Sequence, residues 1–197
     1  MSTQSKPYLT PEQYLEIERK AEFKSEYYQG AMFAMSGARL SHIRIVSNIM
    51  RELGQQLRGR DCEPLSSDMR VCVKPVGLYT YPDIVVVCGK PKFIDDTFDT
   101  LLNPTVIIEV LSDSTEAYDR GKKFELYRPL ESLSEYIVIA SRRVSIERFA
   151  RQPDGAWSFT AKTDVAETID LNSVDCHLLL SDLYDRVEFE PSSTLRP

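Results

Sequence analysis

Apolar residues in the first third of the chain follow helical spacing in two segments. Thr10, Pro11 and Gln13 form the pattern of a capping box with proline in the first turn, which predicts a helix over 11–21. Residues 26–35 are typical of a β-hairpin that turns at Gln29 and Gly30. From 40 to 57 the apolar residues recur at three- and four-residue steps, which indicates an amphipathic helix. The residues expected on its buried face are Ile43, Val46, Met50, Leu53 and Leu57.

Later in the chain the spacing is that of strands. The run 68–74 alternates, whereas 84–88 and 106–111 are apolar almost throughout, as expected of central strands that are covered on both faces. A helix is predicted over 117–128, and further strands over 136–140, 144–149 and 157–161. This order predicts a single domain of the α/β (α+β) class over residues 8–185. The predicted domain has a mixed central β-sheet flanked by helices, with an N-terminal helix and β-hairpin. The segments 1–7 and 191–197 are predicted to be flexible tails.

Composition excludes several broad classes of protein. The 197 residues are 42% hydrophobic and 27% charged, which is enough to bury a core and unlike collagen or a disordered chain. The apolar runs are too short to span a membrane, and the N-terminus lacks the apolar segment of a secretory signal. We therefore expect no membrane partner and a cytoplasmic location.

The four cysteines, Cys62, Cys72, Cys88 and Cys176, are expected to be free thiols. No two of them have the spacing of a zinc or redox site, and the chain contains only two histidines. Cysteines of this kind in a reducing compartment behave as small hydrophobic residues.

Charge is distributed unevenly along the chain. The net charge is −6, and residues 161–190 alone carry eight acids and two bases. The segment 36–92 carries nine bases against five acids, a net charge of +4. This segment could form a phosphate-contacting surface. An ordinary solvated surface explains the same counts.

Two carboxylates stand beside or inside apolar strands. Asp83 follows Pro82 and opens the run 84–88, and Glu109 lies within the run 106–111. A buried carboxylate needs a metal ion, a cation or hydrogen-bond donors. If the two strands are neighbours, both acids meet at one end of the sheet and form a site for Mg²⁺ or Mn²⁺. The alternatives are that Asp83 caps a turn and that Glu109 reaches solvent from a strand end.

The predicted helix 117–128 supplies a lysine that could reach these acids. Asp119, Lys123 and Tyr127 follow one another at four-residue steps and so share one face. If that face packs on the sheet, the ammonium group of Lys123 lies beside the carboxylates. A surface ion pair between Asp119 and Lys123 explains the spacing as well.

These motifs together resemble a known family. Pro82-Asp83, followed 26 residues later by Glu109, resembles the Pro-Asp…(Asp/Glu)-x-Lys pattern of restriction-endonuclease-like nucleases, but Leu111 stands at the lysine position. The chain more closely resembles the Uma family of restriction endonucleases, abundant in cyanobacteria, in which the lysine lies on the next helix in an Asp-x-x-x-Lys-x-x-x-Tyr pattern. Asp119, Lys123 and Tyr127 match that pattern, and Thr10 to Tyr14, Glu26, Gly30, Met35 to Gly37 and His42 match the N-terminal motifs.

The resemblance implies a restriction-endonuclease-like core and a metal-dependent endonuclease that hydrolyses DNA phosphodiester bonds. It implies that Asp83, Glu109 and the carbonyl of Val110 ligate Mg²⁺ or Mn²⁺. Lys123 would orient or help to deprotonate the attacking water and stabilise charge on the phosphate. Glu26 would complete the metal shell or polarise water. The candidates for substrate-contacting or outer positions are His42, Asp68 and Asp119; His42 and Asp68 could equally be a solvent-facing helix residue and a strand-end acid.

Two other functions are compatible with the same residues. One is an inert nuclease-fold protein that acts as a binding or regulatory module, because no DNA-specificity domain is visible and the C-terminal third is acidic. The other is a hydrolase that uses a carboxylate pair on a different substrate, such as a glycosidase. A homodimer is expected from the resemblance, because nucleases that act on duplexes often pair two sites.

Overall fold

Four α-helices and thirteen strands are found in the residues that the structure, a computed structural model, describes: 8–112, 116 and 118–189. The helices are α1 (Pro11–Glu18), α2 (Leu40–Gln56), α3 (Phe124–Tyr127) and α4 (Leu180–Leu183). The strands are β1 (Ser25–Tyr28), β2 (Ala31–Ala34), β3 (Cys62–Ser66), β4 (Arg70–Val73), β5 (Leu78–Thr80), β6 (Ile84–Cys88), β7 (Thr100–Leu101), β8 (Val106–Leu111), β9 (Glu135–Ala140), β10 (Ile146–Arg151), β11 (Trp157–Lys162), β12 (Thr168–Leu171) and β13 (Cys176–Leu179). The predicted tails at 1–7 and 191–197 lie outside the described residues.

The N-terminal elements form where local sequence signals predict them. Thr10 and Gln13 close a capping box on α1, which ends at Glu18 rather than at residue 21. Strands β1 and β2 pair as a hairpin, and Gln29 and Gly30 at its turn both have positive φ, +44° and +88°. That pair of angles suits a two-residue hairpin turn, where glycine carries no steric cost.

The central sheet is mixed, as predicted. Its six strands lie in the order β11-β10-β9-β8-β6-β3, and β8 and β9 are its one parallel pair among the described residues. Strands β6 and β8 are antiparallel neighbours, with Ile84 paired to Ile108 and Val85 to Ile107. The strands that lead from Asp83 and contain Glu109 are therefore neighbours, which is the condition for the two acids to meet at one end of the sheet.

Both faces of β6 and β8 are buried, which explains their unbroken apolar runs. On one face Val86, Val106 and Ile108 pack with α2 and with the C-terminal β12–β13 pair and α4. On the other, Val85 and Ile107 pack with α3 and with a second sheet, whose five strands lie in the order β2-β1-β5-β4-β7. The two sheets and α3 enclose the side of the central sheet toward which Glu109 points.

The buried face of α2 is rotated from the predicted one. Ile45, Ile49 and Leu53 are fully buried, whereas Ile43 is 50% exposed, so the prediction of Ile43 as a core residue is wrong. Val46 and Met50 are only partly buried beside that core. Ile45, Ile49 and Leu53 are spaced four residues apart and form the face of α2 that packs on the central sheet. Ile43 instead lines a cleft near the N-terminal end of α2.

The helix predicted over 117–128 is interrupted. Tyr118–Lys123 is π-helical and only Phe124–Tyr127 is α-helical, while residue 117 lies outside the described residues. Wider turns of this kind are frequently found at functional sites. The segment carries Asp119 and Lys123, both buried.

The prediction of four free thiols is wrong for two of them. Cys62 and Cys88 face one another across β3 and β6 and form a disulfide, whereas Cys72 and Cys176 are free and buried as expected. Direct opposition across two antiparallel strands brings the two sulfur atoms together, and the 26-residue separation in sequence conceals this pairing. No helix in the described part of the chain is long and apolar enough to cross a membrane.

Candidate active site

Asp83 and Glu109 stand opposite one another at the end of the β6–β8 pair. Ile84 pairs with Ile108, so the next position in the same register sets Asp83 opposite Glu109. They lie two residues beyond Val85 and Ile107, and so on the same face of the sheet as these two. The two acids therefore converge where that face opens toward solvent.

The Asp83 carboxylate is held by groups from two other elements. Its Oδ2 accepts a hydrogen bond from the backbone N–H of Val110 at 2.7 Å and lies 3.1 Å from Nε2 of His42 on α2. In an extended strand the N–H and C=O of one residue point to the same edge. The carbonyl of Val110 therefore points to the edge at which Asp83 is held.

Lys123 lies at the centre of the acidic cluster. Its side chain is only 9% exposed, and its Nζ lies 2.9 Å from Oε1 of Glu109. The same nitrogen lies 3.5 Å from Oε1 of Glu26 and 3.6 Å from Oδ1 of Asp119. The face of Asp119 and Lys123 thus packs on the sheet, and the interpretation as a surface ion pair does not describe this structure.

Glu109 is the most enclosed acid of the site. It is 3% exposed, and the hydroxyl of the fully buried Tyr127 donates to its Oε1 at 2.9 Å. Burial raises the pKa of Glu109 and the charge of Lys123 opposes that shift. The pKa of Lys123 is raised despite its burial, because Glu109, Glu26 and Asp119 surround it. With Asp83 beside Glu109, the cluster holds four acids and the one ammonium group of Lys123, so its acids outnumber its cations and favour a further cation.

Glu26 and Asp119 are positioned by the surrounding elements. Glu26 projects from β1 of the second sheet, and the hydroxyl of Thr80 on β5 donates to its Oε1. The backbone carbonyl of Asp119 accepts a hydrogen bond from the hydroxyl of Tyr136 on β9 at 2.8 Å. The π-helical segment is thereby tied to the central sheet next to Glu109.

A cleft of about 1220 Å³ connects these groups to solvent. Every predicted site residue except Asp68 lines it: Glu26, His42, Asp83, Glu109, Val110, Asp119 and Lys123. Asp68 is instead exposed and forms an ion pair with Lys24, so the structure does not bring it to the cluster.

The donor set fits one divalent cation that keeps several of its waters. In the described part of the chain, Glu109 makes its contacts through Oε1 and Asp83 makes its contacts through Oδ2. The second carboxylate oxygen of each acid is therefore left to bind a metal ion. No group of three or more histidine, cysteine or acidic side chains among the described residues has the geometry of a complete metal site. Mg²⁺ is commonly held by one or two carboxylates plus waters, and a backbone carbonyl is a further suitable oxygen donor.

Several residues that shape the site were not assigned to it from the sequence. Thr80 carries no motif beyond its place just before Tyr81-Pro82-Asp83, and Tyr136 lies in an apolar strand. Tyr127 was given no role in the site, but its hydroxyl contacts Glu109. Its four-residue step from Lys123 was the signal that could have identified it.

Comparison with known proteins agrees with this architecture. The family model described as "Uma2: Putative restriction endonuclease" matches residues 11–178. The Synechocystis sp. protein called "Uncharacterized protein sll1609" is 36% identical over 152 residues, covering 77% of this chain and 86% of its own length. From the same organism, "Uncharacterized protein slr1290" is 33% identical over 183 residues, covering 93% and 95%.

A solved structure shares the fold. A crystal structure described as that of "a putative nuclease belonging to DUF820 from Anabaena variabilis ATCC 29413" matches with a TM-score of 0.73. The match covers 89% of this chain and 97% of that chain at 16% sequence identity, a similarity that establishes the fold alone. Since the family model spans most of the chain, the resemblance found in the sequence is confirmed, and the chain belongs to the Uma2 family.

Proposed function

We propose that this protein is a metal-dependent endonuclease that hydrolyses DNA phosphodiester bonds. The observation that carries the proposal is the convergence of Asp83, Glu109 and Lys123 at the base of one cleft, from two adjacent strands and the following helical segment. Membership of the Uma2 family supports the same class of reaction.

Asp83, Glu109 and the carbonyl of Val110 would hold Mg²⁺ or Mn²⁺. A divalent ion held there would neutralise the phosphate oxygens and activate water. The chain's own contribution is to fix the acids: Val110 N–H and His42 hold Asp83, and Tyr127 holds Glu109. Such outer contacts set the orientation of metal-binding carboxylates.

Lys123 would act as a cation on the phosphate. Its three carboxylate neighbours keep it charged, and a charged ammonium group donates hydrogen bonds rather than accepting a proton. It can therefore orient the attacking water or bind a phosphate oxygen that gains charge in the transition state. Glu26, 3.5 Å from Nζ of Lys123, would receive a proton from that water.

Cleavage by the purified protein tests the proposal. We expect nicking of plasmid DNA and cutting of single-stranded DNA with Mg²⁺ or Mn²⁺, and neither with EDTA. A Glu109→Gln preparation made in the same way controls for contaminating nucleases. No cleavage with any divalent metal, together with no metal binding by calorimetry in the folded protein, would contradict the proposal and favour the inert binding module.

Tyr127→Phe removes one hydrogen bond to Glu109 without changing the shape of the core. We expect the affinity for the metal, or the activity at limiting metal, to fall by about ten-fold, the usual effect of losing an outer-shell partner. The measurement is cleavage rate against Mg²⁺ concentration.

Tyr184→Phe is the matched control for Tyr127→Phe. Tyr184 is also buried, but its hydroxyl bonds to Ala140 and Ser145. We expect this variant to lose stability and to keep its metal dependence. An unchanged metal dependence in Tyr127→Phe would show that the hydroxyl serves packing only.

A further inference from the structure

The exposed apolar side chains of this protein are concentrated around the candidate active site. Among the described residues, twelve large hydrophobic side chains are exposed, and seven of them line the cleft. Those seven are Phe23, Phe33, Met35, Leu40, Ile43, Tyr118 and Phe189. Exposed apolar side chains that are grouped around one cleft, rather than scattered singly, are typical of a binding site.

Phe33 lies directly beside the acidic cluster. It stands opposite Glu26 in the β1–β2 pair, and opposed residues of an antiparallel pair project from the same face. Their neighbours Tyr27 and Met32 project from the other face into the core. Phe33 is 53% exposed, whereas the carboxylate of Glu26 reaches to 3.5 Å from Nζ of Lys123.

Tyr118 supplies a second ring to the lining of the cleft. It begins the π-helical segment, immediately before the buried Asp119, and it is partly exposed. Burial and then the charge of Glu26 raise the pKa of Tyr118, as expected for a phenol near that carboxylate. Two aromatic side chains from different elements thus line the cleft that holds Glu26 and Lys123.

The charge of the cleft does not by itself distinguish a duplex from a single strand. Its lining includes five basic side chains, namely Lys24, Arg39, Arg44, Lys123 and Arg142. It also includes six acids, namely Glu22, Glu26, Asp83, Glu109, Asp119 and Glu188. Four of these acids belong to the proposed metal site, and Lys and Arg contact the phosphates of duplex and single-stranded DNA alike. The exposed aromatic side chains are therefore the feature of the cleft that favours one form of DNA over the other.

From these observations, and resting on the proposed function, we infer that the substrate is single-stranded or locally unpaired DNA, with bases next to the scissile phosphate stacked on Phe33 and Tyr118. Paired bases hide their faces inside the duplex, and aromatic side chains can stack only on bases that are unpaired. The phosphate must also enter the cleft, because Glu109 and Lys123 are nearly buried. A flexible single strand can enter such a cleft, whereas an intact duplex exposes no base faces to its aromatic walls.

The test measures binding separately from cleavage. A short single-stranded DNA with a 2-aminopurine base is titrated with the protein in EDTA, beside a duplex of the same sequence. We expect tighter binding of the single strand, with quenching of the stacked base. Phe33→Leu should weaken single-strand binding by about 5- to 100-fold, the range for one base–aromatic stack, and leave duplex binding nearly unchanged. Phe33→Trp, which keeps an aromatic face, should restore it.

Phe159→Leu is the matched control, because Phe159 is also an exposed phenylalanine on a strand but lies outside the cleft. Wild-type affinity in Phe33→Leu, or an equal loss on single strand and duplex, would overturn the inference. So would a change in the monomer–dimer equilibrium of Phe33→Leu with unchanged DNA binding, since the patch would then be a contact between two copies. Tight, Phe33-dependent binding of the single strand without cleavage by wild type would contradict the proposed function and support single-stranded DNA as the ligand of the cleft.

Discussion

Glu109→Gln is expected to reduce metal-dependent DNA cleavage by about a thousand-fold, because a bound metal supplies several kcal/mol of transition-state stabilisation. The substitution keeps the size of the side chain and its contact with Tyr127, but removes the charge that would bind the metal. Lys123 retains Glu26 and Asp119 as partners, so we expect the variant to fold. Plasmid nicking and calorimetric titration with Mn²⁺ measure the two effects.

The control for Glu109→Gln is another buried glutamate of the same sheet. Glu135 on the neighbouring strand β9 is also nearly inaccessible, but it pairs with Arg148 and accepts a hydrogen bond from Ser173. Glu135→Gln should lower the melting temperature and leave the specific activity of the folded fraction unchanged. If Glu109→Gln retained wild-type cleavage and Mn²⁺ binding, Glu109 would be a structural residue and the proposed metal site would be wrong.

Lys123→Met is expected to lower the cleavage rate by about a hundred-fold, the usual cost of removing one donor that stabilises transition-state charge. It should leave metal binding intact, or strengthen it, because the competing ammonium group is gone. Without metal, the variant has three carboxylates and no cation between them, and breaking a buried ion pair costs about 3 kcal/mol. We therefore expect Mg²⁺ to raise its melting temperature more than it raises that of the wild type.

Lys122→Met provides the matched control, since Lys122 precedes Lys123 in the chain but is exposed and pairs only weakly with Glu125. Cleavage and the metal-induced thermal shift should both stay at wild-type values in that variant. A Lys123→Met protein that cleaves DNA at the wild-type rate would remove Lys123 from the mechanism, even if its thermal shift changed as expected. The thermal shift thus separates the stabilising role of the lysine from its chemical one.

The sequence alone determined the elements whose signals are local. The capping box of Thr10 and Gln13, the turn at Gln29 and Gly30, and the apolar runs of β6 and β8 each depend on neighbouring residues, and each formed as predicted. The same runs made Asp83 and Glu109 conspicuous, because a charge within an apolar strand requires a partner. The family could also be identified at this level, because the order of its motifs is preserved.

Only the tertiary structure decided how these pieces meet. Ile43 and Ile45 both fit helical spacing, and the contact with the central sheet selected Ile45. Strand register brings Cys62 and Cys88 together as a disulfide, and Asp68 forms an ion pair with Lys24 instead of joining the acidic cluster. Lys123 reached Glu109 through a π-helical segment held by Tyr136, a contact between residues distant in sequence. Spacing along one element predicts which residues share a face. Which face is buried, and which groups it contacts, depends on packing between elements, and the local pattern does not encode that packing.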